Sequence, residues 1–364
     1  MQQSVLPRIS DRPVADEVVE HPLVFAPRLP LEAHRDPMWT PDLSIYDRYV
    51  VLFSGGKDSV ACVLRLLELG VPREAIELHH HDVDGQEGSN LMDWPITRDY
   101  CRAFARALGL KLIFSWKVGG FEREMLRQDS LTSPIAWESE SGQILSSGGT
   151  RGKANTRQMF PQVTADLTQR WCSGYLKVDV GARVLTSEPR FTQGKTLVLS
   201  GERAEESSAR ARYQVFEHDR SDNREGKRVV RHIDHWRAVH AWDEQQVWDI
   251  IQRHGINAHP AYHLGWGRTS CMKCIFGSAN QWASVRLIDP QGFEEIALYE
   301  ERFGKTIHRQ LSVRDLAARG TPYDMDPAVV SLALGEHYPQ EQILVDPAAW
   351  KLPQGAFGES NGPT

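Results

Sequence analysis

The chain has 364 residues, 41% of them hydrophobic, with a formal net charge of -6 and a pI near 6.2, which suits one large domain with extensions or two modest ones. That balance excludes a protein basic throughout and leaves a local basic face open. No run of residues has the length and apolarity of a membrane span, the opening MQQSVLPRISDRP has no signal-peptide core, and five cysteines with one CxxC do not read as a secreted disulfide framework. A cytoplasmic protein with a metal or a cluster is the expectation.

Residues 1 to about 45 carry Pro7, Pro13, Pro22, Pro27, Pro30, Pro37 and Pro41 without a sustained period, and predict an extended arm. From Tyr46 the run YVVLF predicts a strand, then a glycine turn, then SVACVLRLLELG as a helix closed by Gly70. AIELHHH predicts a second strand, ITRDYCRAFARALG a helix and KLIFSW a third strand. This alternation predicts an α/β fold, a parallel sheet flanked by helices on both faces, with its ligand beyond the strand ends. Between Gln128 and Val163 the chain turns to Ser, Gly and Thr (SSGGTRGKANTR), either a floppy surface loop or a lid over the active site.

TLVLSGERAEESSARA predicts a further strand, a polar turn and a helix, and EHDRSDNREGKRVVRH a solvated loop. DEQQVWDIIQRHG predicts another helix, ahead of HPAYHLGWGRTSCMKCIFG. The expected organisation is an arm over 1–45, an α/β domain with the CxxC segment over 46–280, and a helical C-terminal region over 281–364, disordered from Pro353. No internal repeat is visible.

Small residues at Ser54, Gly55 and Gly56, where a strand becomes a helix, let backbone amides approach a phosphate. Lys57 adds a point charge and Ser59 a hydroxyl. The loop is not a Walker A motif, because the GxxxxGK[ST] spacer is missing; GGTRGKA and GWGRTS also fail the patterns they approach. A loop that grips the β and γ phosphates as a leaving group favours attack on the α phosphate.

SGGKDS after a first strand resembles the PP-loop ATP pyrophosphatases, in the branch that includes the phosphoadenylylsulfate reductases and the DNA phosphorothioation pyrophosphatases. RWCSGYLK at Arg170–Lys177, GERAEESSAR at Gly201–Arg210 and HPAYHLGWGRTSCMKC at His259–Cys274 are similar to that branch's successive signatures, in its order, over about Tyr46 to Gly277. The resemblance implies the PP-loop (adenine nucleotide alpha hydrolase-like) fold. It also implies that Ser54, Gly55, Gly56, Lys57, Asp58 and Ser59, with Gly201, bind ATP, and that Asp58 helps to hold magnesium. His79, His80 and His81, with Asp82 and Asp84, would frame adenine and ribose; a metal patch is the other reading, but strand alternation keeps three neighbours from converging. Arg203 and Arg210, with Arg170 and Lys177, would neutralise charge at the α phosphate and on departing pyrophosphate. Lys57, Asp58, Arg203 and Arg210 are the expected catalytic residues. The plain alternative is that Glu205 and Glu206 simply pair with these arginines on a solvated helix.

Cys271 and Cys274 form the CxxC and Cys172 lies in RWC. Three thiolates suit a 4Fe-4S cluster with one open iron, as in similar sulfur-inserting enzymes. A zinc site with His259 or His263, or thiols without metal, are the alternatives. Cys62 and Cys101 fall on predicted helices as small apolar residues. No cysteine follows Cys274, whereas the resembling sulfonucleotide reductases use one in a C-terminal tail.

The expected function is an ATP pyrophosphatase that releases AMP and pyrophosphate as it adenylylates a substrate for sulfur transfer, in DNA phosphorothioate modification. Its partners would be a sulfur donor such as a cysteine desulfurase and a DNA or tRNA substrate. The alternatives are a sulfonucleotide reductase or tRNA thiolase, and a non-catalytic nucleotide-binding zinc scaffold. Arg151, Lys153 and Arg157, and Lys227, Arg228 and Arg231, are candidate phosphate contacts; Trp94 and Trp116 read as core or pocket walls.

Overall fold

The computed structural model describes residues 35–269 and 271–359. Most of the expected N-terminal arm and the last residues of the expected disordered tail lie outside them.

The described strands are β1 (Arg48–Leu52), β2 (Ile76–Asp82), β3 (Lys111–Lys117), β4 (Ile135–Glu138), β5 (Ile144–Ser147), β6 (Lys195–Leu199), β7 (Phe216–His218) and β8 (His232–Trp236), in the order β5-β4-β3-β2-β1-β6-β8-β7. β1, β2, β3, β6 and β8 run parallel; β4, β5 and β7 join antiparallel at the two edges. The helices are α1 (Lys57–Glu68), α2 (Thr97–Leu108), α3 (Gly120–Met125), α4 (Trp171–Ser173) running through a π turn (Gly174–Val178) into α5 (Asp179–Ser187), α6 (Glu244–Arg253), α7 (Pro260–His263), α8 (Ala279–Ile288), α9 (Pro290–Phe303), α10 (Val313–Ala318) and α11 (Pro327–Ala333). The mostly parallel sheet, its flanking helices and the helical C-terminal region are those the sequence predicts. No helix among the described residues is long and apolar enough to cross a membrane.

β1 is apolar on both faces because helices cover both. Tyr49, Val51 and Phe53 join the larger core with α1, α2 and α6, while Val50 joins Val198, Ile233 and the α5 residues Val180, Val184 and Leu185 in a smaller one. Each such buried side chain stabilises the fold by about 1.5–3 kcal/mol. Strand order turns at β1: β2 and β3 lie to one side, β6 and β8 to the other. The segments leaving β1 and β6 therefore diverge at their carboxyl ends and leave a crevice, the usual ligand position in such sheets.

Two segments depart from expectation. Within the Ser/Gly-rich stretch, Ile135–Glu138 and Ile144–Ser147 form a hairpin that extends the sheet beside β3. Ile135 and Trp137 sit in the smaller core, so this part is neither a floppy loop nor a lid. The chain beyond it is tied back where Ser130 and Asn155 exchange backbone hydrogen bonds of 3.3 and 3.1 Å. Pro353–Glu359, expected to be disordered, packs on the body. The Gly355 amide donates to the Tyr262 carbonyl at 2.7 Å, and the Glu359 carboxylate accepts from Asn280 at 3.0 Å and Tyr323 at 3.2 Å. Polar composition hid contacts that run through backbone and carboxylate rather than apolar side chains.

Candidate functional site

Beyond Phe53 the chain turns through Ser54–Gly56 into α1. Gly55 has φ of 76°, which favours glycine, and a Cβ there would crowd Cys101 Sγ and a Tyr100 ring carbon, each at 3.2 Å. The loop's hydroxyls pin it: Ser59 Oγ donates to the Gly56 carbonyl at 2.9 Å and accepts from the Ser54 amide at 3.3 Å, and Ser54 Oγ accepts from the Gly56 amide at 3.3 Å. Gly56 brings no side-chain cap, so the positive end of α1 meets the crevice with its amides. Lys57 is 3% exposed. Its amide donates to the Tyr262 hydroxyl at 2.9 Å, and its ammonium donates to the Gly267 carbonyl at 2.9 Å and lies 3.3 Å from Glu244. Burial pulls the Lys57 pKa down, but Asp58, Tyr262 and Glu244 together outweigh it and the ammonium stays charged.

The segment leaving β6 forms the opposite wall. A Cβ on Gly201 would stand 2.7 Å from the Asp58 carbonyl carbon, so only glycine lets this wall lie flush against α1. That approach sets Arg203 Nε 2.6 Å from Asp58 Oδ1. Burial raises the Asp58 carboxyl, and Lys57 and Arg203 more than reverse that, so it is ionised and committed to the arginine. Arg203 Nη1 lies 3.2 Å from Glu205, and the Arg203 amide donates to Glu206 at 2.9 Å. Glu206 also takes Arg210, and Arg268 at 3.3 Å. The glutamates do pair with the arginines, but Arg203 is 3% exposed and the network is not a solvated helix face.

Arg170, just before α4, is 9% exposed, yet its Nε and Nη1 have no hydrogen-bond partner among the described residues. Burial first, and then Arg210 and Arg268, lower its pKa. Its open donors, close to Arg210 and Arg268, are ones an anion can take. Sequence reasoning missed Arg268, Tyr262 and Glu244. Arg268 and Tyr262 lay inside the HPAYHLGWGRTSCMKC signature without being singled out, and Glu244 was visible only as the acidic start of a predicted helix.

The histidines of β2 divide by face. His79 is 1% exposed, 2.5 Å from Glu77, and packs near Phe191 on the α5 side, the face opposite α1. His81 Nδ1 is 2.8 Å from Ser115 Oγ on that same side, against Gly181 of α5. His80 faces α2, 3.0 Å from the Phe53 carbonyl, and burial lowers its pKa to about 4. Asp82 is paired with Arg98. His80 thus braces the strand that leads into the loop, while His79 and His81 belong to the other layer.

Cys172, Cys271 and Cys274 gather around Lys177. Burial, and after it Cys274, push the Cys172 thiol up to about 11; burial and then Asp93 push Cys271 well above the usual thiol range. Desolvation lowers the Lys177 pKa, but Cys271, Asp93, Cys172 and Cys274 raise it by more. The donor chemistry suits a cluster, yet no three His, Cys, Asp or Glu side chains among the described residues are placed to hold a metal ion. His259 caps α7, accepting from the Ala261 amide at 3.2 Å, and His263 lies 3.0 Å from Asn257, so both zinc candidates are engaged elsewhere. Cys62 and Cys101 are buried in the larger core, as are Trp94 and Trp116.

Of the candidate nucleic-acid contacts, Arg151, Lys153, Lys227 and Arg228 are exposed. Arg157 is not available: its Nη2 donates to Glu124 at 3.0 Å, and its guanidinium lies over the Trp171 and Tyr175 rings. Arg231 is half-buried, donating to the Ser221 carbonyl at 3.1 Å.

Comparison with known proteins adds a coarse bearing. Candida glabrata FMN adenylyltransferase in complex with FAD and inorganic pyrophosphate aligns at 12% identity with a TM-score of 0.35, covering 88% of this chain and 83% of that one. Candida auris phosphoadenylyl-sulfate (PAPS) reductase in its phosphate complex aligns at 18% identity with a TM-score of 0.34, covering 62% of this chain and 81% of that one. An uncharacterized 37.8 kDa protein of Escherichia phage 186 is 26% identical over 264 residues, 69% of this chain and 74% of the phage protein. Residues 150–276, which carry Arg170, Cys172, Lys177, Arg203, Arg210, Arg268 and the CxxC, match the family model of the phosphoadenosine phosphosulfate reductase domain.

Proposed function

We propose that the chain is an ATP pyrophosphatase, cleaving ATP between the α and β phosphates to adenylylate an acceptor for sulfur transfer. The observation that carries this reading is the chain of cations at the loop: Lys57 at the start of α1, Arg203 on Asp58, Arg210 and Arg268 on the Glu206 that Arg203 also holds, and, close to Arg210 and Arg268, the buried Arg170 with open donors. The match of residues 150–276 to the phosphoadenosine phosphosulfate reductase domain supports it.

In this reading the loop and Lys57 hold the β and γ phosphates, and Arg203, Arg210, Arg268 and Arg170 stabilise the charge that builds on departing pyrophosphate. An acceptor oxygen attacks the α phosphorus, the bond to the bridging oxygen of pyrophosphate breaks, and acceptor–AMP remains for a sulfur nucleophile to displace AMP. Magnesium bound with ATP would offset phosphate charge, with Asp58, held by Arg203, as the residue that would hold it. Cys172, Cys271 and Cys274 are the residues that would hold an iron–sulfur cluster, and iron and sulfide analysis of anaerobically purified protein tests that assignment. The acceptor proposed is a DNA backbone phosphate, with a cysteine desulfurase as sulfur source.

The matched domain also favours a second reading, reductive cleavage of an adenylylated sulfate. Phosphorus NMR of products from ATP and magnesium, with duplex DNA, tRNA or adenylylated sulfate added in turn, decides between them. AMP with pyrophosphate, stimulated by DNA, is the expected result; ADP with phosphate overturns the leaving-group assignment, and sulfite release from adenylylated sulfate favours the reductase.

A further inference from the structure

Three groups hold Lys57: the Tyr262 hydroxyl on its amide, and the Gly267 carbonyl and Glu244 carboxylate on its ammonium. The three residues that supply these groups also touch the short stretch Gly355–Glu359. The Gly355 amide donates to the Tyr262 carbonyl at 2.7 Å, and the Phe357 amide to Glu244 at 3.4 Å. A Cβ on Gly267 would stand 2.8 Å from the Glu359 carbonyl and 2.9 Å from that of Gly358, so the two segments lie flush.

Above the phosphate loop there is little room. A Cβ on Gly56 would meet the Tyr262 hydroxyl at 3.4 Å and Thr269 Cβ at 3.5 Å.

We infer that Gly355–Glu359 is a strap that holds the Tyr262–Thr269 segment closed over the phosphate loop, so that ATP binds only when the strap lifts. The inference rests on reading the loop as an ATP site. A phosphate takes its hydrogen bonds from the donors that Tyr262 and Gly267 now occupy, so the closed arrangement and the phosphate-bound one compete. The strap's hold is local and polar: Glu359 is anchored by Ser278, Asn280 and Tyr323. It also carries a strained point, Phe357 at φ of 58° and half-exposed, which the surrounding contacts must maintain.

Two variants release the strap without touching the loop. Glu359→Ala removes the anchor, and Gly355→Ala places a Cβ 2.2 Å from the Trp266 carbonyl oxygen. Hydrogen exchange of the Lys57 amide in nucleotide-free protein reads closure itself, and isothermal titration with ATP and magnesium reads its consequence. The expected result is faster Lys57 exchange and about tenfold tighter ATP binding in both variants. Unchanged exchange overturns the strap whatever ATP does, and faster exchange with unchanged affinity overturns its control of the site. Faster exchange with no ATP binding by any protein, the unmutated chain included, keeps the strap and overturns the ATP reading of the loop.

Discussion

Arg170 sets a stability cost against a use. Its two open donors are buried beside Arg210 and Arg268, and each unsatisfied group costs about 1–3 kcal/mol. Arg170→Met should therefore raise the melting temperature by roughly 2–4 °C, while lowering AMP and pyrophosphate formation about 10²–10³-fold. A variant that loses stability would show that the guanidinium has a partner in the native protein. Glu77 is the opposite case: burial raises its carboxyl, but His79, 2.5 Å away, and Arg190, also at 2.5 Å, hold it well below the usual range. A depressed carboxyl contributes stability that is present above the unfolded value of about 4.3 and lost as pH falls toward the folded one. Glu77→Gln should cost about 3–5 kcal/mol at pH 7 and flatten the loss of stability below pH 5, as urea titrations at pH 7 and pH 4 would read. At this scale the sequence made the phosphate loop legible, because SGGKDS is contiguous and its geometry is local. Tyr262 was not legible as a partner of Lys57, since 205 residues separate them and no spacing rule joins them.

Elements explain why the histidines were only partly readable. Alternation along β2 does separate His79 and His81 from His80, but which face meets α1 depends on the register Leu52↔His79 and on α5 arriving from more than 90 residues later. The hairpin β4–β5 was hidden by its Ser and Gly content, although Ile135, Trp137 and Leu145 share one face and pack in the smaller core. Close approach of two elements builds this wall of the crevice, and Gly201, two residues beyond β6, is where it touches α1. Gly201→Ala would force a Cβ to 2.7 Å from the Asp58 backbone and push Arg203 from its carboxylate. A destabilisation of about 1–3 kcal/mol is expected, with turnover lost even at temperatures where the variant is fully folded. Normal turnover in a folded variant would mean that the Asp58–Arg203 contact is not needed for the reaction.

Across the whole molecule the net charge of -6 works against association with nucleic acid, so any DNA acceptor must be met by a local set of exposed cations. Charge counting over the sequence offered six candidates, and the fold divides them, because burial of a cation depends on tertiary partners that composition does not reveal. Arg157 is spent on Glu124 and two aromatic rings, and Arg231 is half-buried. Arg151 and Lys153 remain exposed on the chain that follows the β4–β5 hairpin. Replacing both with glutamate should weaken duplex binding and lower the slope of log affinity against log salt by roughly 2, since each lost phosphate contact removes about 0.9. Arg157→Glu should behave differently, lowering the melting temperature by leaving Glu124 short of a partner while the salt slope of the folded protein stays put. Equal slopes for the unmutated chain and the Arg151/Lys153 double variant would move the acceptor away from this face, and a small adenylylated substrate would then fit the acidic surface better than a polyanion does.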